Sequence, residues 1–177
     1  MNAQLAAIVE GLESAQRRLH VLGQTLSDGD WSRRPGPDRW SPLECVAHLN
    51  LTALAMLPLI RDGLARARSD GRPAPRRYRR DALGWLLVQA LNKPGKFKVR
   101  TTAAFVPTAD RPVSEVLVEF DSLQGEQVAC VRAADGWPVD RVRIASPFNA
   151  RIRYTVYSAL SILPVHQHRH LWQAEHG

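Results

Sequence analysis

Apolar residues recur at intervals of three and four in four long segments, and this period constrains the fold more than any other feature of the chain. The segments span residues 3–26, 42 to about 67, about 112 to 134, and about 149 to 175. No convincing strand pattern interrupts them. The sequence therefore predicts an all-α four-helix bundle, in a single domain over residues 1–177.

Local signals set the predicted boundaries of these helices. Ser41-Pro42-Leu43-Glu44 places Ser at the N-cap, Pro at the first helical position and Glu where it closes a capping box. Turn-forming residues at 27–30 and a loop at 31–40 precede this start, and a connector at 138–147 precedes the last helix. Pro58 is expected to kink the second helix or end its regular part, and Pro164 to kink the fourth.

More than forty residues separate the second long helix from the third. They comprise an arginine-rich loop at 68–80, a short helix at 81–92 capped by Asp81, and an irregular or extended segment at 93–107. A crossover of this length lets the second and third helices run parallel. The shorter connections on either side allow antiparallel neighbours.

Composition favours a cytoplasmic protein. Of 177 residues, 45% are hydrophobic and 23% charged, and no apolar run reaches the ~20 residues of a membrane span. The first residues lack the basic and apolar regions of a signal peptide. Cys45 and Cys130 lie in helix-like apolar surroundings, and we interpret them as reduced core residues.

The net charge of +7 comes from one part of the chain. Residues 61–100 contain 12 of the 24 Lys and Arg but only 3 of the 17 Asp and Glu. A basic face for duplex DNA would spread its charges along a docking surface, so nucleic acid is not the expected partner. The run from Arg61 to Arg80 leaves three interpretations open: a solvated loop, an anion-binding lid over a pocket, or a nucleic-acid contact.

Three of the six histidines lie within five residues near the C-terminus. His166 and His170 are four apart, so on a helix they share one face and can reach one metal ion, whereas His168 points elsewhere. His48, on the inner side of the second helix, supplies a third candidate ligand. The alternatives are a hydrogen-bonded core histidine for His48 and a solvated helix end for the pair.

The residues around this set limit its chemistry. Zinc proteases need Glu between the two histidines, and Gln167 cannot accept a proton there. A catalytic base would have to be a metal-activated water or a carboxylate from another element, with Glu44 the nearest candidate unless it only caps its helix. Helical spacing places Gln173 and Arg169 beside the site, where each could also be an ordinary surface or interhelical residue.

Two motifs, in this order and at this spacing, resemble the DinB-like (DinB/YfiT) superfamily of metalloenzymes. The first is Trp40-Ser41-Pro42-Leu43-Glu44-Cys45-Val46-Ala47-His48-Leu49, and the second is His166-Gln167-His168-Arg169-His170-Leu171-Trp172-Gln173. The resemblance implies a bundle in up-down-down-up order. It also implies a divalent metal (Zn, Ni, Mn or Fe) held by His48, His166 and His170, and a homodimer.

Characterised members of that superfamily are thiol S-transferases that use low-molecular-weight thiols. The resemblance therefore favours a metal-dependent transferase with a small-molecule substrate, and a related hydrolase next. The alternative to an enzyme is a non-catalytic, stress-associated binding or scaffold bundle, in which the histidine cluster is structural or vestigial.

Overall fold

The computed structural model describes residues 1–93, 101–108 and 110–176, and most of these residues are helical. In that part of the chain there are six α-helices, a 3-10 turn at Ala103–Phe105, and one antiparallel sheet of two strands. The elements in chain order are α1 (Ala3–Thr25), α2 (Asp28–Ser32), α3 (Pro42–Ser69), α4 (Ala82–Leu91), α5 (Val113–Ala133), β1 (Arg143–Ser146), β2 (Asn149–Thr155) and α6 (Val156–His176).

Capping boxes begin two of the helices. Ser41 and Glu44 cap α3 reciprocally, as the sequence predicted. Ser27 and Asp30 form a second box, which starts the short helix α2 where a turn and a loop were expected. This helix buries Trp31, whose side chain is 2% exposed. The turn residues end α1 as predicted, but the reciprocal cap lets the backbone form one further helical turn.

Helix α3 is one element of 28 residues with Pro58 inside it. Of the two expected effects of Pro58, an end to the regular part of the helix was wrong, and the kink stays a prediction. Pro58 is exposed, while Met56, Leu57 and Ile60 around it are buried. Tertiary packing on the opposite side of the helix holds the chain helical across the missing N–H group. Residues 68 and 69, expected in the loop, belong to this helix.

The segment before α6 forms a hairpin, which contradicts the expectation that the chain lacks strands and that the last helix begins near residue 149. β1 pairs with β2, and the opposed residues Ile144 and Tyr154 are each 2% exposed. The hairpin leads directly into α6, because Val156 N–H donates to the Val142 carbonyl over 2.8 Å. This hydrogen bond gives a partner to one of the backbone N–H groups that are otherwise unpaired at the start of a helix, and α6 begins at Val156.

The four long helices form the core. α1 packs against α5 and α6, and α3 packs against the same two helices. Contacts between α1 and α6 advance in the same direction along both helices, from Gln4–Tyr157 through Gly11–His168 to Arg18–Glu175. Contacts between α1 and α5 advance in opposite directions, as the pairs Leu12–Gln124 and His20–Asp121 show.

Helix α3 runs antiparallel to α6. Its residue His48 lies beside His166, and its residue Gly63 lies beside Val156. It runs parallel to α5, since Asn50 bonds to Val116 and Arg61 to Glu126. The α3–α6 interface is therefore where the histidines of the two sequence motifs meet.

Among the described helices, α3 alone has the length and hydropathy of a membrane span, with a mean hydropathy of 1.6 in its most apolar window. Within that window, 72% of the residues are buried inside the protein. This burial is consistent with the core helix of a soluble protein.

Candidate metal centre

The structure brings the three predicted histidines together. His48 projects from α3, His166 and His170 project from α6, and the candidate ligand atoms of all three lie within 4.8 Å of one another. The Nε2 atoms of His166 and His170 are 3.1 Å apart. His168 faces away, with its Nε2 3.1 Å from the Gly11 carbonyl on α1.

A main-chain carbonyl orients His48. The Nδ1 atom lies 2.7 Å from the carbonyl oxygen of Phe105, so Nδ1 carries the proton and donates it. This contact leaves the Nε2 lone pair available to a metal, as the outer hydrogen bond of a metal-binding histidine does. Phe105 belongs to the crossover between α4 and α5. A carbonyl acceptor has no side-chain signature, so the sequence could not reveal this contact.

Burial keeps the three rings neutral. It lowers the pKa of His48, although the Phe105 carbonyl opposes this. Burial, with smaller contributions from His48 and Arg169, lowers the pKa of His166 to about 3. Burial, followed by His166 and His48, holds the pKa of His170 well below its ordinary value. At neutral pH the imidazoles therefore offer lone pairs and carry no charge.

The donor set fits a divalent metal. Two neutral imidazole Nε2 atoms at 3.1 Å face each other, and they need a shared proton or a cation between them. Ligands about 2.0–2.1 Å from one ion lie roughly 2.8–3.4 Å apart at octahedral or tetrahedral angles. The His166–His170 separation matches this range. The widest separation in the set is larger, so a bound ion would draw the ligands closer.

Aromatic side chains surround the histidines. The Trp40 ring lies 4.8 Å from the His48 ring and 5.9 Å from the His170 ring, centroid to centroid. Phe148, in the turn between β1 and β2, lies 6.4 Å from His166 and 4.5 Å from Phe105. The imidazoles therefore face an apolar wall, and the unpredicted hairpin supplies part of it.

Comparison with known protein families identifies the family of this chain. The family model of the DinB superfamily matches residues 11–174 of the 177. The chain belongs to the DinB superfamily. The match includes all three clustered histidines and confirms the family resemblance of the two motifs. Neither the curated proteins nor the solved structures gave a significant match.

In this DinB-superfamily chain, Glu44 is fully buried and both its carboxylate oxygens have partners. One accepts from the Ser41 amide and from Arg34 Nε, each over 2.8 Å, and the other accepts from the Arg34 guanidinium. Burial raises the pKa of Glu44, but the bonds from Arg34 and Ser41 outweigh it and leave the pKa below its ordinary value. Glu44 thus makes the capping contacts, and its role as a base stays a prediction.

The two residues predicted beside the site occupy different environments. Arg169 is buried, and its guanidinium donates to the Lys93 carbonyl over 3.2 Å. The Gln173 side chain lies close enough to His170 to raise its pKa slightly against the effect of burial. The Nδ1 atom of His170 is nevertheless buried with no hydrogen-bond partner among the described residues. Gln173 is the side chain placed to serve it.

Gln167 faces α5 instead of the histidines. It exchanges amide hydrogen bonds with Gln124, of 2.6 and 3.0 Å, and donates to Gln127 over 3.3 Å. All three glutamines are buried. The sequence excluded Gln167 as a base because of its chemistry, and its position in the structure excludes it as well. The interhelical amide pair itself was not predicted.

Proposed function

We propose that this protein binds a divalent metal through His48, His166 and His170 and uses it in a transfer reaction with a low-molecular-weight thiol. The observation that carries the metal proposal is the convergence of three neutral imidazoles from two helices, with a 3.1 Å approach between two Nε2 atoms. When bound, a divalent ion with three such ligands and open positions supplies Lewis acidity and lowers the pKa of a thiol. Imidazole ligands suit Zn, Ni and Fe, whereas Mn is more often bound by oxygen ligands.

The chain's own residues would position the reactants. The Phe105 carbonyl holds the His48 ring in one tautomer. Trp40 and Phe148 limit water around the imidazoles and can contact the apolar part of a small-molecule substrate. Their rings favour an organic electrophile with an apolar body over a fully hydrated polar one.

The environment of the site favours a transferase over a hydrolase. Without a protein group that removes a proton from water, a hydrolase depends on the metal alone to ionise it. Gln167 faces α5, and both oxygens of Glu44 are occupied by Arg34 and Ser41. A thiol that ionises at neutral pH needs no such base. The thiol reaction therefore does not require a proton acceptor among these residues.

Metal analysis tests the first part of the proposal. Protein prepared without a histidine tag should carry about one divalent ion per chain, as three protein ligands with open positions predict. His48→Ala should lose most of this metal. His20→Ala, which removes an exposed histidine paired with Asp121, should retain it. Equally little metal in the wild type and in His48→Ala would favour the non-catalytic scaffold instead.

A conjugation screen tests the reaction. The metal-loaded protein is incubated with electrophiles and several low-molecular-weight thiols, and conjugates are measured by mass spectrometry. We expect thiol-dependent conjugation that His166→Ala abolishes. Thiol-independent ester or amide cleavage would indicate the hydrolase, and no turnover with normal metal content would indicate a binding protein.

We also propose the up-down-down-up order for the four long helices. The parallel pairs α1–α6 and α3–α5 and the antiparallel pairs α1–α5 and α3–α6 support it. A homodimer in the cytoplasm remains part of the proposal, and sedimentation of the purified protein tests its dimeric state.

A further inference from the structure

We propose a second ligand site, separate from the metal centre, that binds a small phosphate ester with a planar ring, of the nucleoside monophosphate type. The site is a cavity of about 320 Å³, which we call the arginine cavity. Its lining includes three arginines within four positions of the chain, an indole and polar side chains: Arg77, Arg79, Arg80, Trp85, Gln4 and Tyr157.

The arginines of this cavity are available to an anion. Arg72 pairs with Asp70 and Arg143 with Asp81, whereas Arg77, Arg79 and Arg80 form no ion pair with any described residue. Guanidinium groups bind phosphate oxygens in a bidentate manner, so three of them around one cavity favour a phosphate.

Three carboxylates near this segment bond to other groups. Asp135 lies 3.4 Å from the N-terminal ammonium group. Asp140 accepts the Arg79 backbone N–H through Oδ2 over 3.2 Å, while its Oδ1 is buried without a hydrogen-bond partner among the described residues. Asp81 accepts from Ser158 and Arg143. They reduce the local positive charge without pairing with the three guanidiniums.

The segment that carries these arginines is anchored at its backbone. Gln4 accepts from the Tyr78 N–H over 2.8 Å and donates to the Tyr78 carbonyl over 3.1 Å. The Tyr78 ring is 2% exposed and stacks on Tyr157 at 5.1 Å, and its hydroxyl donates to the Trp137 carbonyl. Because the backbone is held in place, binding loses less conformational entropy than it would at a free loop.

Trp85 supplies a surface for a planar ring. It lies on the first turn of α4 and is 54% exposed, which leaves much of a large apolar side chain in water. Stacking of a base on such an indole gains free energy whatever the identity of the base. The combination of guanidiniums and one exposed indole is therefore complementary to a phosphate joined to a heterocycle.

Size and position favour a small ligand. A volume of about 320 Å³ is at the lower end of the range for small-molecule sites. The cavity shares no lining residue with the histidine cluster. Tyr157 precedes His166 by nine residues on α6, which corresponds to about 13 Å along the helix axis.

Isothermal titration calorimetry of the metal-loaded full chain, with adenosine 5′-monophosphate, inorganic phosphate and adenosine as probes, tests this site. We expect the monophosphate to bind about tenfold or more tightly than either part alone, since the guanidinium and stacking contacts both contribute. Arg80→Gln and Trp85→Ala should each weaken it about fivefold or more. Arg151→Gln, which removes an exposed arginine of β2, is the charge-matched control and should change nothing.

Four results would overturn the proposal. Equal affinities for the monophosphate and inorganic phosphate would show that the ring makes no contribution to binding. Undiminished binding in Arg80→Gln, or loss of binding in His166→Ala, would place the ligand elsewhere. Tighter binding of a single-stranded oligonucleotide, rising with its length, would indicate a nucleic-acid surface. All the substituted cavity residues are exposed, and circular dichroism verifies that the variants fold.

Discussion

The five side chains from His166 to His170 contact four different parts of the molecule. His166 and His170 face His48 on α3, Gln167 faces α5, and His168 faces α1. Arg169 donates to the Lys93 carbonyl, just after α4. One turn and a half of helix therefore joins the metal centre to the packing of the whole core. The role of each of these residues therefore depends on which part of the molecule its side chain contacts.

Gln167→Glu should destabilise the protein by about 2–4 kcal/mol, because it places a carboxylate opposite the carbonyl oxygens of Gln124 and Gln127 in a buried interface. It should not create hydrolytic activity, although it produces the acidic residue of a zinc protease at this position. Urea unfolding and an ester-hydrolysis assay measure the two effects. Gln24→Glu on the exposed side of α1 is the control, expected within about 0.5 kcal/mol. A stable, hydrolytic Gln167→Glu variant would contradict the observed orientation.

Glu44→Gln should cost about 1–3 kcal/mol at pH 7, because the carboxylate that accepts from Arg34 and Ser41 loses its charge. The folded pKa of Glu44 lies below its ordinary value of 4.5. Its contribution to stability is therefore present above about that pH and lost as the pH falls through the lower folded pKa.

Urea unfolding of the wild type and Glu44→Gln at a series of pH values measures this effect. The difference in unfolding free energy between them should shrink as the solution becomes more acidic than pH 4.5. A difference that does not change with pH would mean that the charge of Glu44 is unimportant and that only its shape matters.

Helix α3 depends on close approach to its neighbours. At Gly63 it passes the start of α6 and β1 so closely that an added Cβ would lie 2.5 Å from Val156 Cγ2 and 2.8 Å from Ile144 Cγ2. This contact positions α3 against the hairpin and α6, the two elements that carry Phe148 and the His166–His170 pair.

Gly63→Ala should therefore destabilise the fold by about 1–3 kcal/mol through overpacking. Gly125→Ala on α5 is the matched control, because an added Cβ there meets nothing within 4 Å. It should stabilise the protein by about 0.5–1 kcal/mol, since alanine favours a helix interior over glycine. Thermal unfolding of both variants measures the contrast, and equal destabilisation would contradict the close approach.

Helix α6 continues through Pro164, which lies against Gly11 of α1. The sequence predicted a kink at this proline, which lies two residues before the ligand pair. The 3.1 Å approach of His166 and His170 shows that the pair converges two residues beyond it. The kink expected from Pro164 therefore does not separate the two side chains.

At the scale of the whole molecule, the candidate metal centre links α3 to α6, so metal binding and folding should be coupled. An ion that binds only the folded state at about 100 times its Kd adds about 2.7 kcal/mol of stability. For a chain of this length, that corresponds to about 5–10 °C in Tm. Chelation should thus lower the Tm of the wild type by about this amount.

The Tm of His166→Ala should not respond to the chelator, because the variant lacks one of the three ligands. Differential scanning calorimetry with and without chelator measures both proteins. An equal fall in both would show that the chelator acts outside the histidine cluster, whereas no change in either would contradict metal binding.

The sequence alone determined the four long helices, the start of α3, the short helix capped by Asp81 and the three candidate ligands. These features depend on residues a few positions apart, through helical periodicity and capping. The pairing of His48 with His166 and His170 was predictable because each has the right position on its own helix and a motif beside it.

Only the tertiary structure decided the contacts that join distant residues. The β1–β2 pairing replaced the first part of the predicted last helix, and packing carried α3 through Pro58. The contact of His48 with the Phe105 carbonyl and the Gln124–Gln167 amide pair could not be predicted from the sequence either. Strand pairing and acceptors on the main chain depend on which segments meet in space, and helical periodicity contains no information about that meeting.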